Sequence, residues 1–305
     1  MADDLEVHGS GAHDIEFTDV SIRYGRNPDD EAIRDLSVHF EGGVIHGLLG
    51  RNGSGKTSLL SAVAGFRPSN SGTVTVGGLP PFENPARTEH VCMIGESGVA
   101  MDSTDVKTVL RLNARWRPYW DVEYAEHLLE LFDLPRRKSV GGLSRGGKSA
   151  LGIVVGLASR APVTILDEAY LGLDAPSRYV FYDELLRDYA ENPRTIIVST
   201  HLIEEVARLF EQVTIIDDGR LVLQGSADEL GARGVTVTGP RDEVERLIDG
   251  HVVLSRQHLG GTTAATIDGR LSDEERQAAR VAGLELGPVG LQDLFVYLTN
   301  AAGRT

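Results

Sequence analysis

Cysteine is almost missing from this 305-residue chain, with Cys92 the only one. A single thiol excludes an internal disulfide and suits a reducing cytosol. Long apolar runs are missing too. Crossing a bilayer takes roughly 18 consecutive apolar residues, and the nearest stretch, Ala150 to Leu166, is interrupted by Arg160 and Pro162. Positive charge is in short supply: 30 Lys and Arg against 45 Asp and Glu give a formal net charge of −15. That balance argues against broad nucleic-acid binding, which is built on clustered Lys and Arg. A soluble acidic surface accounts for it. Lysine occurs only at Lys56, Lys107, Lys138 and Lys148, and the other basic residues are arginine, a bias of GC-rich bacterial coding rather than of mechanism. The opening MADDLEVHGSGAHD is acidic and polar, the reverse of a secretory signal.

What is present is a folded chain of ordinary composition, 41% hydrophobic and 25% charged. Residues 1–13 are expected to be weakly ordered. Alternation of Ile15, Phe17, Val20 and Ile22 predicts a strand from Asp14 to Tyr24, with another near Leu36–Phe40. Val44–Leu49 is a short apolar run that leads into a glycine-rich loop and a helix over Lys56–Ala64. Thr73–Val76 and His90–Ile94 read as strands. Helical periodicity over Asp121–Phe132 places Val122, Leu128, Leu129 and Phe132 near one face, and Trp116, Pro118 and Trp120 read as packing residues before it. A helix from Ser144 to about Ser159 precedes apolar strands at Val163–Leu166, Thr195–Ser199 and Val213–Ile216, a mainly parallel sheet covered by helices. Composition shifts after about Gly225. Beyond it the order β-α-β-β-α-β suggests a small α+β domain of ferredoxin-like type over 226–305, with a capping box at Ser272 and Glu275.

Four motifs carry the chemistry. GRNGSGKT, Gly50 to Thr57, matches the P-loop pattern in its required strand–loop–helix setting. Its glycines let backbone N–H groups close around phosphate oxygens, Lys56 would reach the β- and γ-phosphates, and Thr57 would ligate Mg²⁺. Asp167 and Glu168 end the strand TILDE at its carboxyl edge, where open α/β sheets bind ligands. One carboxylate can hold Mg²⁺ while the next polarises the attacking water, the positioning and charge work that phosphoryl transfer needs. Without the P-loop the pair would read as an ordinary acidic helix start. LSRGG, Leu143 to Gly147, puts the Ser144 hydroxyl and the Gly146 and Gly147 amides at a helix start, where Ser144 also reads as a plain N-cap. His201 closes the STH motif, 34 residues after Asp167.

Together and in this order these motifs resemble the nucleotide-binding subunit of an ABC transporter, over residues 14–225. The resemblance implies an α/β P-loop NTPase core of the ABC ATPase type with a helical subdomain around 103–160, and two subunits closing head to tail over two ATP molecules. It adds Asn52, Ser54 and Ser58 to Gly50, Gly53, Gly55, Lys56 and Thr57 as ATP-binding positions. His201 resembles the switch histidine at the γ-phosphate, and Ser144 with Gly146 would face ATP held by the second subunit. Asp174 resembles the loop passing between subunits, where it could equally be an N-cap. Tyr24 resembles the aromatic that stacks on adenine, with plain packing as its other reading. Arg145 and Lys148 stand where the common LSGGQ pattern has glycine and glutamine. Glu96 stands where such subunits usually carry glutamine; it would ligate Mg²⁺ or act on the attacking water and make binding Mg²⁺-dependent, or else point to solvent.

The resemblance further implies a separate membrane-spanning permease, a homodimer or heterodimer of nucleotide-binding subunits, no nucleic-acid partner, and a cytoplasmic place on the inner face of the cell membrane. Pro118–Asp121, the helix to Leu134-Pro135 and the terminal Leu291–Thr299 look like bacterial exporter-type subunits. Two alternatives are a non-hydrolysing regulatory subunit and a soluble ABC ATPase of DNA repair or translation. Against the latter, 87 residues from Lys56 to Leu143 leave no room for a long coiled coil.

Overall fold

The computed structural model describes residues 12–25, 30–99 and 101–302. The chain forms two compact units, the first running to His201 with Ile216–Leu221 added, the second comprising Leu202–Ile215 and the chain from Val222 onward.

In the first unit, β1 (Ile15–Arg23) pairs antiparallel with both β2 (Glu31–Phe40) and β4 (Ser71–Val76). Its alternation buries Ile15, Phe17, Val20 and Ile22. They meet Leu59, Leu60 and Val63 of α1 (Lys56–Val63) in one core. Strand β2 starts five residues before the sequence expectation, because a register shift between Ile33 and Leu36, with Asp35 at φ of 47°, breaks the alternation there. The central strands β3 (Ile45–Leu49), β5 (Val91–Gly95), β6 (Val163–Asp167) and β7 (Thr195–Thr200) run parallel in the order β5-β6-β7-β3. Every residue of β3, β6 and β7 is buried, as parallel strands covered on both faces require. Cys92 lies wholly buried in β5.

Helix α2 (Pro85–Thr88) precedes β5, and α3 (Val106–Trp116), α4 (Val122–Leu131) and α5 (Arg145–Ala158) follow it. Asp105 and Asp121 cap α3 and α4 by accepting from the amides of Thr108 and Tyr124, each an N-terminal donor that would otherwise lack a partner. The buried face of α4 is Tyr124, Ala125, Leu128 and Leu129. Val122, expected on that face, is 58% exposed in the first turn. Trp116, expected to pack, is 63% exposed at the end of α3. All of α5 from Ser149 onward is buried. Helix α6 (Ala175–Glu191) leads to β7. The expectation of weak order for 1–13 falls mainly outside the described residues; His13 is held, its carbonyl accepting from Thr195 and its ring stacked on His90.

After β7 come α7 (Ile203–Val206), β8 (Gln212–Asp217), β9 (Arg220–Ser226) and α8 (Ala227–Gly231). The second unit then builds its own sheet from β10 (Gly234–Pro240), β11 (Val253–Leu259), β12 (Thr262–Asp268) and β13 (Glu285–Pro288), in the order β11-β12-β10-β13 with all neighbours antiparallel. Each helical crossover, α9 (Arg241–Leu247) and α10 (Asp273–Val281), skips one strand, the split β-α-β arrangement. Val237, Val244, Ile267 and Ala279 lie at the centre of its core. Helix α10 carries the expected capping box at Ser272 and Glu275, and a second one, at Ser226 and Glu229, starts α8. Helix α11 (Leu291–Ala302) ends the described chain. Among the described residues no helix is long and apolar enough to cross a membrane.

Candidate nucleotide site

Strand β3 delivers its chain into the loop Gly50–Gly55 at the carboxyl end of the parallel sheet. Gly53 and Gly55 have φ of 83° and 104°, the left-handed region open to glycine. At Gly55 a Cβ would lie 2.4 Å from the Ala32 carbonyl oxygen, whereas at Gly53 it would meet nothing within 4 Å. The loop is therefore packed on one side and open on the other. Lys56, only 5% exposed, turns its ammonium back into the loop, donating to the carbonyls of Gly50 (2.8 Å) and Arg51 (3.2 Å). Ser54 is buried, and its hydroxyl has no hydrogen-bond partner. An open backbone arc, an orphaned hydroxyl and a lysine held inside the loop fit a polyphosphate.

Strand β6 brings the carboxylates to the same end. The Thr57 hydroxyl donates to Asp167 Oδ2 at 2.8 Å, and the Ser199 hydroxyl donates to Oδ1. Both oxygens of a nearly buried carboxylate are thus fixed. A hydroxyl and a carboxylate side by side are the hard oxygen donors that Mg²⁺ takes in phosphate sites. Glu168 adopts φ of 54°, costly for a residue with a Cβ, and its amide donates to the Ser199 carbonyl. Its carboxylate lies 3.3 Å from Lys56 Nζ and 3.3 Å from His201 Nδ1. Lys56, Thr57, Asp167, Glu168 and His201 therefore meet, although the first and last are 145 residues apart.

Other candidates stand elsewhere. Ser144 caps α5 through the Gly147 amide at 3.1 Å, and Asp174 caps α6 through the Ser177 amide at 2.9 Å. Hydrogen bonds from the Ser177 hydroxyl and amide hold the Asp174 carboxyl below the usual carboxylate range. Ser144, Gly146 and Asp174 line one cleft of about 470 Å³. Tyr24 is 63% exposed, bonded through its phenol to the Ser58 hydroxyl at 3.1 Å. Asn52 is exposed on the loop. Glu96 is not joined to Thr57 or Asp167 by any hydrogen bond among the described residues; its carboxylate pairs with Arg145 Nη2 at 2.6 Å.

A family model described as ABC transporter matches residues 33–171. Nod factor export ATP-binding protein I of Burkholderia lata is 30% identical over 311 residues, covering 94% of this chain and 97% of that protein. The chain belongs to the ABC transporter ATP-binding proteins. ABC transporter ATP-binding protein YtrB of Bacillus subtilis is 29% identical over 201 residues, 66% of this chain and 69% of the relative. A solved ATP-binding subunit of an ABC transporter superposes with a TM-score of 0.63 at 25% identity, covering 71% of this chain and 91% of that one. The α/β fold is thus that of the ABC ATPase cassettes, and ATP is the polyphosphate that an ABC ATP-binding protein takes.

Three relationships in this ABC cassette escaped the sequence reading. Ser199 was noted only as part of its motif, yet it fixes the second oxygen of Asp167. The sequence marks Arg145 as a departure from a pattern and gives no sign of its pairing with Glu96. Arg67 was not singled out, and its guanidinium lies 3.7 Å over the Tyr24 ring. Each joins residues more than 30 positions apart, beyond the reach of local periodicity.

Proposed function

We propose that this chain is the ATP-hydrolysing subunit of a bacterial ABC exporter that drives a separate membrane-spanning permease. The observation that carries the reading is the meeting of Lys56, Glu168 and His201 beside the Thr57–Asp167 pair. Lys56 binds the β- and γ-phosphates as a point charge, helped by the amides of Gly53 and Gly55 and the α1 N-terminus. Thr57 and Asp167 hold Mg²⁺, which when bound neutralises charge on the phosphate oxygens. Glu168 accepts a hydrogen bond from the attacking water and orients it, and His201 donates toward the γ-phosphate. Asn52, Ser54 and Ser58 complete the loop's polar lining, and Tyr24 offers its ring to the base. Glu96 stands ready as a further carboxylate for Mg²⁺ or the water once it leaves Arg145.

Hydrolysis takes a second cassette, this chain or a homologue, whose Ser144, Gly146 and Asp174 face the nucleotide of the first. The export direction is supported by the Nod factor relative, whose name includes export. The working place is the inner face of the membrane, with residues 14–225 as the motor, the helices around 103–160 as its helical subdomain, and 226–305 as an accessory module.

Light scattering on Glu168→Gln with and without MgATP, beside phosphate release by wild type, tests the proposal. A dimer of the variant with ATP and hydrolysis by wild type support it. ATP binding with neither dimer nor hydrolysis, alone and with a homologous cassette added, sinks it in favour of a regulatory subunit.

A further inference from the structure

The Tyr24 ring is held at two points although most of the residue is exposed, and its backbone is anchored as well. Its backbone N–H donates to the Asp30 carbonyl at 3.0 Å. Its phenol oxygen is bonded to Ser58, one residue from Thr57 on the first turn of α1. Its face carries the Arg67 guanidinium at 3.7 Å from the ring centroid. Arg67 follows α1 and is itself anchored, donating from Nη2 to the Arg23 carbonyl at 3.2 Å. Its Nε is buried with no hydrogen-bond partner, and among the described residues no carboxylate pairs with it. Among the described residues this guanidinium is committed to a ring rather than to an acid, in a chain with 15 excess negative charges. The planar cation suits the ring face geometrically, and the attraction is that of a cation for a π quadrupole.

We infer that Arg67 is a positioning residue for the nucleotide base. It holds the Tyr24 ring from one face, so that a purine stacks on the other, with Ser58 fixing the ring's azimuth relative to the phosphate loop. The inference rests on the reading of Tyr24 as the base-stacking residue. An exposed aromatic side chain left free would lose rotamer freedom on binding, and Arg67 removes that loss in advance. The stack is guanidinium, phenol ring, base. The triphosphate end is untouched by it, so Arg67 acts on recognition of the base and not on phosphate binding.

The test measures dissociation constants of MgATP and of magnesium tripolyphosphate, which has no base, on the full chain carrying Arg67→Ala, Arg67→Met or Tyr24→Ala. Arg67→Met keeps the apolar stem, so it remains informative if the alanine variant folds poorly. Both Arg67 variants are expected to weaken MgATP about two- to fivefold, the equivalent of a cation–π contact at an exposed site, and to leave tripolyphosphate unchanged. Tyr24→Ala is expected to do the same or more. An unchanged ratio of the two ligands in the Arg67 variants overturns the inference, as does equal weakening of both, which would make Arg67 a charge acting on phosphate. Tighter MgATP binding overturns it too, by showing that Arg67 occupies the base's own face. If Tyr24→Ala leaves the ratio unchanged, the reading of Tyr24 itself falls, and the role of Arg67 with it.

Discussion

Glu96 and Arg145 stand 49 residues apart in sequence and 2.6 Å apart in space, joining the turn after β5 to the first turn of α5. Lys148, on the same helix turn, pairs with Asp102 at 2.8 Å. Two cations at a helix N-terminus oppose its dipole, and the two carboxylates offset that cost. The Glu96–Arg145 pair is solvent-exposed on both sides, so it contributes about 1 kcal/mol or less and is easily exchanged. If Glu96 serves the nucleotide as proposed, Arg145 masks the charge that it would present to a triphosphate.

The consequence is measurable as the ratio of ATP affinities with and without Mg²⁺. Glu96→Gln is expected to lower that ratio about two- to fivefold by removing a repelling charge. Arg145→Ala is expected to raise it by exposing the same charge. The double variant should match Glu96→Gln alone, since Arg145 acts through Glu96. Equal effects of the two single variants would show that the pair is only structural.

Asp188 of α6 lies between two arginines, accepting from Arg160 and, at 2.8 Å, from Arg194. Arg194 is nearly as buried as Asp188, and burial pushes its pKa down to about 10. Removing one member of a buried pair leaves an uncompensated charge. Asp188→Asn is expected to cost about 3–5 kcal/mol in urea unfolding, with a loss below about 1 kcal/mol refuting the account.

Acid should destabilise the first unit through His13 and His90. Their rings stack at 5.0 Å, with Tyr119 bonded to His90 at 3.0 Å and Arg87 beside His13. Burial, followed by a neighbouring cation, lowers both pKa values below 6.5. The unfolded chain then binds more protons just below pH 6.5, so stability is full above that pH and falls as the pH drops toward the folded values. His90→Phe keeps an aromatic ring without the titration, and the drop in urea midpoint between pH 7.5 and 5 should shrink. An unchanged drop would assign the acid sensitivity elsewhere.

Glu275 gives a second pH signature of the same sign in a more acidic window. Its carboxylate accepts from the Ser272 amide at 2.7 Å, from His251 at 2.8 Å and from the Ser272 hydroxyl at 2.8 Å. These bonds lower its pKa from 4.5 to about 2. Its contribution is present above pH 4.5 and lost as the pH falls through about 2. Ser272→Ala removes the hydroxyl and keeps the amide, so an NMR carboxyl titration should show the pKa rising part of the way toward 4.5. No rise would mean that the amide and His251 suffice.

The sequence was most legible where chemistry depends on chain-local spacing. The P-loop needs strand, loop and helix in succession, and Lys56 and Thr57 follow from that run alone. Asp167 and Glu168 are legible because they follow directly on the apolar run Val163–Leu166. The capping box at Ser272 was legible for the same reason, an interval of three residues. Val122 falls beside the face that periodicity assigns to the core, but the face that α4 buries is Tyr124, Ala125, Leu128 and Leu129 and leaves it exposed. Trp116 was misread because size favours burial and the end of α3 does not supply a surface to cover it. Glu168's left-handed backbone and the partners of Glu96 and Tyr24 were invisible, since each depends on where distant segments come to rest.

The burial of Cys92 in β5 has a practical side for all these tests. A thiol with no solvent-exposed surface reacts poorly with maleimides and spin labels, and no other cysteine exists in the chain. Any cysteine introduced on the surface is then a unique chemical handle, with no native thiol to delete beforehand. A fluorophore on such a handle would report whether two cassettes join under ATP in the otherwise unaltered sequence.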